Sequence, residues 1–265
     1  MKRSKITILL AIVLGMTFHS CLDLEPQDQL GGKNMWTSVN DYKQFANTFY
    51  SWTRDFSSVV YDGTHSDKRS DLITYQSYNE FSRGINSIPS SDANYTDNYK
   101  HIRRTNLLLQ NAEAYAKPED IKQYIGEAYF FRAYSYFDLL QLYGDVIITK
   151  KPLDITDPEM KVKRNDRSEV VDLIIDDLNH AVENLPAFKE LTTEEEGRIS
   201  KEGAQAFLSR VALYEGTWQK SRNGNQNTQR SANLLDIAAK AARTVIDAKY
   251  GYTFRLFGTD SETKI

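Results

Sequence analysis

Pro118–Asp145 reads PEDIKQYIGEAYFFRAYSYFDLLQLYGD, and its periodicity is that of a buried helix. Pro118 has the fixed φ that suits a first helical turn. Glu119 and Asp120 follow, where carboxylates complement the positive end of the helix dipole. Apolar, aromatic and small residues then recur at helical period: Ile121, Tyr124, Ile125, Ala128, Phe131, Ser135, Leu139 and Leu142. Tyr129, Phe130, Tyr136, Phe137 and Leu140 widen the apolar arc beyond one stripe. A helix apolar on most sides is buried among other helices. Gly144 stands just past the last periodic residue, where a left-handed C-cap is expected.

Working outward, a second stretch has the same spacing. Ala128, Arg132 and Tyr136 form A-x-x-x-R-x-x-x-Y, and Ala206, Arg210 and Tyr214 repeat it, with Gly216 soon after. Small residues spaced in this way let helices approach, as in helical-pair repeats of the tetratricopeptide class. The neighbouring segments are also helical. Ala93–Tyr115 carries Tyr95, Tyr99, Ile102 and Asn106 near one face, and a buried Asn106 is expected to bond a neighbouring backbone. Asp166 and Glu169 form a capping box before a one-sided stripe from Val170 to Leu185, which Pro186 ends. A helix over about Ser38–Ser51 and an Ala-rich one over Asn233–Lys249 complete the set, with Trp36 and Trp52 as packing residues. The expectation is an all-α, tetratricopeptide-like helical-pair scaffold with long irregular loops. Such scaffolds present binding surfaces.

The start of the chain is of another kind. Lys2, Arg3 and Lys5 precede an apolar run, Ile6–Phe18, too short to span a bilayer, which needs about 20 residues. Residues 1–20 therefore read as an export signal. Cys21, the only cysteine, follows directly and excludes an intramolecular disulfide. A lone cysteine in that place resembles a bacterial lipobox, and lipidation there would tether a soluble domain to a membrane. Without the signal, 30 basic residues face 36 acidic ones, a net of −6. That balance argues against nucleic acid as a partner. His65, Asp67 and Asp71 fit no Zn or Ca spacing, so no metal is expected, and no cofactor motif is present.

Tyr61–Ser91 is rich in Ser, Asp, Asn and Gly and lacks periodicity. A long loop in a compact domain is often functional. Tyr75 and Tyr78 beside polar residues such as Asp67 suit a sugar, whose apolar face packs on a ring while its hydroxyls are bonded. A solvated excursion accounts for the same composition.

Taken together, these residues resemble the SusD/RagB family of nutrient-binding outer-membrane lipoproteins. The resemblance rests on Cys21 with Leu24 and Pro26, the Trp36 helix, Tyr99-x-x-Ile102-x-x-x-Asn106, Gly126-Glu127-Ala128-x-x-x-Arg132-Ala133 through Leu142-Tyr143-Gly144-Asp145, Ala206-x-x-x-Arg210-Val211-x-Leu213-Tyr214, and Tyr250-x-Tyr252. It departs from the family at Tyr95, where Trp is usual, and at Val146-Ile147-Ile148, where Val-Pro-Leu is usual. The resemblance implies a non-catalytic protein, lipid-anchored at the outer membrane and exposed at the cell surface. It would capture glycans, or in some branches peptides, for a SusC-like TonB-dependent barrel. By position in the family, Tyr95 and Asn98 are the first ligand candidates, followed by Asp67, Tyr75 and Tyr78. The expected division is 1–20 signal, 21–92 N-terminal segment and 93–265 helical domain. Family members are about twice this long, so an N-terminal half is expected, with exposed apolar surface near the C-terminus. Two other readings are a glycoside hydrolase, which needs two carboxylates across a cleft, and a scaffold that binds only proteins.

Overall fold

The computed structural model of the chain describes residues 35–54, 83–85, 87–154, 156–222 and 228–252. The elements below all belong to one compact unit, Trp36–Ile265. Among the described residues there are six α-helices: α1 Val39–Asn47, α2 Ala93–Glu113, α3 Lys122–Tyr143, α4 Arg167–Asn184, α5 Lys201–Arg222 and α6 Thr228–Ile246. The only extended pairing described is an isolated antiparallel bridge, Val146 with Asn165.

Most helix ends fall where the sequence chemistry puts them. The Asp41 carboxylate accepts the Ser38 amide at 2.8 Å and the Ser38 hydroxyl accepts the Asp41 amide at 3.3 Å, a capping box for α1. Glu169 accepts the Asp166 amide at 3.0 Å ahead of α4. Gly144 ends α3 with φ 72°, a value that glycine adopts without steric cost. Two boundaries differ from expectation. The helix expected to reach Ser51 tightens into a 3₁₀ turn over Thr48–Trp52. There Thr48, Ser51 and Thr53 each bond a carbonyl three residues back, which favours the tighter winding. And α6 begins at Thr228 rather than Asn233, because the Ser231 hydroxyl is buried and donates to the Gly216 carbonyl at 2.8 Å.

The core is built around α3, which packs on α2 and α4; α5 lies against α4 and pairs most extensively with α6. Phe131, Tyr136, Leu139 and Leu140 of α3 are fully buried together with Phe45, Phe49, Ile174 and Leu178. Trp36 packs on Tyr42 and Phe45, and Trp52 stacks on His101 with ring centroids 4.1 Å apart. Both tryptophans are thus packing residues. Two glycines permit the close approaches. A Cβ on Gly126 would lie 2.9 Å from Leu185 Cγ and 3.0 Å from the Leu185 nitrogen. One on Gly216 would lie 2.9 Å from Leu235 Cγ.

The all-α helical-pair architecture is as the sequence implies, but the repeated spacing does not repeat a role. Arg132 is buried, whereas Ala206 and Arg210 are exposed. The face that α5 buries carries Ala204, Leu208, Val211 and Ala212, a register shifted by two residues. Toward the C-terminus, Leu213 and Ile246 are 51% and 68% exposed.

Candidate functional site

Asp92 opens α2. Its carboxylate accepts the Asn94 amide at 2.9 Å and the Tyr143 hydroxyl at 2.6 Å, so the end of α3 is tied to the start of α2. Tyr95 and Tyr99 follow one turn apart, with ring centroids separated by 4.8 Å, and Tyr143 meets Tyr95 edge-on at 5.2 Å. The Tyr99 hydroxyl donates to the Ile147 carbonyl at 2.8 Å. Burial, and then the adjacent Tyr95, raise the Tyr99 phenol above its ordinary range. It therefore stays a neutral donor at every physiological pH.

Facing these rings is the segment after α3, held from below by a relay of buried polar groups. The Asp177 carboxylate of α4 accepts two bonds from Arg132, at 2.8 and 2.6 Å. Arg132 Nη1 donates to Asn106 Oδ1 at 2.8 Å. Asn106 Nδ2 in turn donates to the carbonyls of Thr149, at 2.9 Å, and Lys151, at 3.3 Å. The Tyr136 hydroxyl accepts the Thr149 amide at 2.8 Å and donates to the Thr149 carbonyl at 3.2 Å. Asn106 thus bonds a neighbouring backbone, as its place on an apolar face implied. Burial opposes the Arg132 charge, but the bonds and charge of Asp177 outweigh it and raise its pKa. A second buried pair works at a distance from these rings: Glu127 is bound by Arg198 through two bonds of 2.8 and 2.9 Å. It pins the 188–200 connection to α3.

Between α2 and the 147–160 segment lies a groove of about 410 Å³, within the range of small-molecule pockets. Tyr95, Tyr99, Ile147, Leu153 and Met160 supply apolar walls; Thr96, Lys100, Arg103, Thr149, Lys151 and Glu159 supply the polar lining. Arg103 donates to the Leu153 carbonyl. Lys151 and Glu159 pair at 2.7 Å. A tyrosine wall beside hydrogen-bonding groups can bind a sugar by one ring face and by its hydroxyls.

Tyr95 lines this groove. Asn98 does not: it is 8% exposed, and its amide donates to the Asn94 carbonyl of its own helix at 2.8 Å. Asp67, Tyr75, Tyr78 and Cys21 lie outside the described residues. Sequence reasoning did not single out Tyr99, Arg103 or Lys151 as ligand-facing. The spacing 95, 99, 103 is a helical one, so the first two of these were within reach of it. Among the described residues no group of three or more His, Cys, Asp and Glu is placed to hold a metal ion. No helix among them is long and apolar enough to cross a membrane.

Comparison with known proteins adds to this geometry. Residues 22–213 match the SusD-like_3 family model, described as "Starch-binding associating with outer membrane". A curated relative, SusD-like protein P38 of Formosa agariphila, is 28% identical over 80% of this chain and 42% of its own length. A SusD-like protein from Bacteroides fragilis superposes with a TM-score of 0.63 at 24% identity, over 90% of this chain and 43% of that one. A laminarin-binding SusD-like protein gives a TM-score of 0.51 at 27% identity, over 67% of this chain and 36% of that one. The chain spans less than half the length of the curated relatives P38 and P2.

Proposed function

The chain belongs to the SusD-like family, and on that premise we propose that it captures oligosaccharides in the groove beside Tyr95 and passes them on without altering them. The observation that carries this reading is the groove itself. A tyrosine pair stands opposite a backbone edge fixed by Asn106 and Tyr136, so the cleft exists before a ligand arrives. Preformed sites lose less free energy in ordering on binding. Glycan as the ligand class is supported by the family description and by the laminarin-binding relative. Non-catalytic action is supported by the lining, where Glu159 is the only carboxylate among the described residues and is paired with Lys151. A glycosidase places two carboxylates across its substrate. The further parts of the proposal rest on family and on sequence: lipidation at Cys21, an outer-membrane location facing outward, and delivery to a SusC-like TonB-dependent barrel.

Affinity electrophoresis against a panel of neutral and acidic polysaccharides, followed by calorimetry on any hit, tests the reading. Tyr95→Ala is expected to weaken binding by about tenfold, the loss of one aromatic contact worth roughly 1–1.5 kcal/mol. Unchanged affinity in that variant moves the site elsewhere. Release of shortened products by the wild-type chain replaces the reading with the hydrolase. Co-purification with a barrel, with no glycan retained on any gel, replaces it with the protein-binding scaffold. Intact mass from native membranes reports separately on lipid at Cys21.

A further inference from the structure

Beyond the glycan class, the groove carries information about the charge of its ligand. Among its described lining residues three are cations, Lys100, Arg103 and Lys151, against the single carboxylate of Glu159. Lys100 and Arg103 stand on the first half of α2 beside the Tyr95–Tyr99 pair, and Lys151 faces them from the segment beyond. This sign is local, because the whole chain has a formal net charge of −3.

Lys151 pairs with Glu159 inside the groove at 2.7 Å and Arg103 donates to the Leu153 carbonyl, while the acidic partners of Lys100 and Arg103 lie outside it. Lys100 pairs with Asp97 at 2.8 Å, with the two side chains 72% and 51% exposed. Arg103 stands 3.9 Å from Asp154, which is 84% exposed. Neither Asp97 nor Asp154 lines the groove. Exposed pairs of this kind are weak and screened by solvent, so an incoming anion can replace them. The apolar walls of Tyr95, Tyr99, Ile147, Leu153 and Met160 lower the local dielectric and strengthen what replaces them. Arg103 also offers the planar fork that matches carboxylate and sulfate oxygens.

We propose that the groove selects acidic oligosaccharides, with a uronate carboxylate or a sulfate ester of the glycan held by Lys100, Arg103 and Lys151 while a sugar ring lies on Tyr95. The proposal rests on the reading of the groove as a glycan site and specifies its substrate class.

The test uses the full chain and three oligosaccharides of equal length: neutral, uronate-bearing and sulfated, with single-stranded DNA as a polyanion that has no pyranose ring. One or both acidic ligands are expected to bind at least about tenfold tighter than the neutral one at low salt. The advantage is expected to shrink as salt rises, because screening weakens the charge contact. Which acidic ligand binds tighter distinguishes carboxylate from sulfate. Arg103→Gln and Lys100→Gln are expected to bring the acidic-to-neutral affinity ratio toward one, and Arg103→Lys to restore part of it. Neutral binding equal to acidic binding overturns the proposal and leaves the glycan reading standing. A ratio unmoved by both Gln variants overturns it as well. DNA bound as tightly as the acidic glycans overturns it, because sugar recognition is then absent. Failure of every oligosaccharide to bind removes the glycan reading itself, and the proposal with it.

Discussion

Asp177→Ala probes the relay beneath the groove most directly. The Asp177 and Arg132 side chains are 1% and 6% exposed and share two hydrogen bonds. Removing the carboxylate leaves a guanidinium in the core with Nε and Nη2 unpartnered. Breaking one side of a buried pair costs about 3–5 kcal/mol, against a total stability of about 5–15 kcal/mol. For a unit of this size each kcal/mol lowers Tm by about 2–4 °C, so a drop of about 6–20 °C is expected. A double variant separates the causes. Arg132→Met with Asp177→Leu removes both charges, so the uncompensated ion is gone. It also strips the Arg132 donor from Asn106 Oδ1, and an orphaned buried acceptor costs about 1–3 kcal/mol. The double variant is therefore expected to be less destabilised than Asp177→Ala alone. Urea unfolding followed by far-UV circular dichroism measures both, provided the denaturant slope is unchanged. A single variant within about 1 kcal/mol of wild type, or a double variant as damaged as the single, would refute this reasoning.

Three further outcomes are expected. Gly126→Ala puts a methyl 3.0 Å from the Leu185 backbone nitrogen and is expected to cost about 1–3 kcal/mol through overpacking, read as a lowered Tm; an unchanged Tm would show that the α3–α4 contact has slack. Burial, only partly offset by Asp97, lowers the His101 imidazole from 6.5 to about 4. The unfolded chain takes up this proton near pH 6.5 and the fold does not until about 4, so stability present above that window is lost as pH falls through it. His101→Phe is expected to narrow the Tm difference between neutral pH and about pH 5, and an identical difference in the variant would count against the assignment. Arg198→Met leaves Glu127, whose side chain is 0% exposed, without its cation. It is expected to cost about 3–5 kcal/mol and to open the 188–200 connection to trypsin, so resistance equal to wild type would contradict the pinning role.

The parts of the fold legible in sequence are those with one dominant local cause. The central helix is buried on nearly every side, so any reading of its register finds the core. Capping at Ser38 and Asp166 follows from short-range chemistry. The register of α5 was not legible. An Ala-rich helix offers a small-residue pattern on more than one face, and a two-residue shift turns Arg210 from the interior to solvent. The true start of α6 was hidden because its first buried contact is a serine hydroxyl. At the groove, Tyr95 is named from its place in the family, and it lines one wall. The opposite wall was not legible, since Ile147 meets Tyr99 across 48 residues of chain. That Asn98, named from its place in the family, bonds the Asn94 carbonyl of its own helix was not legible either, because several acceptors lie within reach of an amide at that position.

The supports under the groove grip main chain. Asn106, Tyr99 and Tyr136 bond the carbonyls of Ile147, Thr149 and Lys151 and the amide of Thr149. No bond in this set depends on which side chain those three positions carry. Wall and support are thereby uncoupled. Side chains other than proline at Ile147, Thr149 and Lys151 can be exchanged to reshape the wall of the cleft, while the bonds that hold its backbone are kept. For engineering, this makes those three positions the ones to vary, with α2, α3 and α4 left untouched.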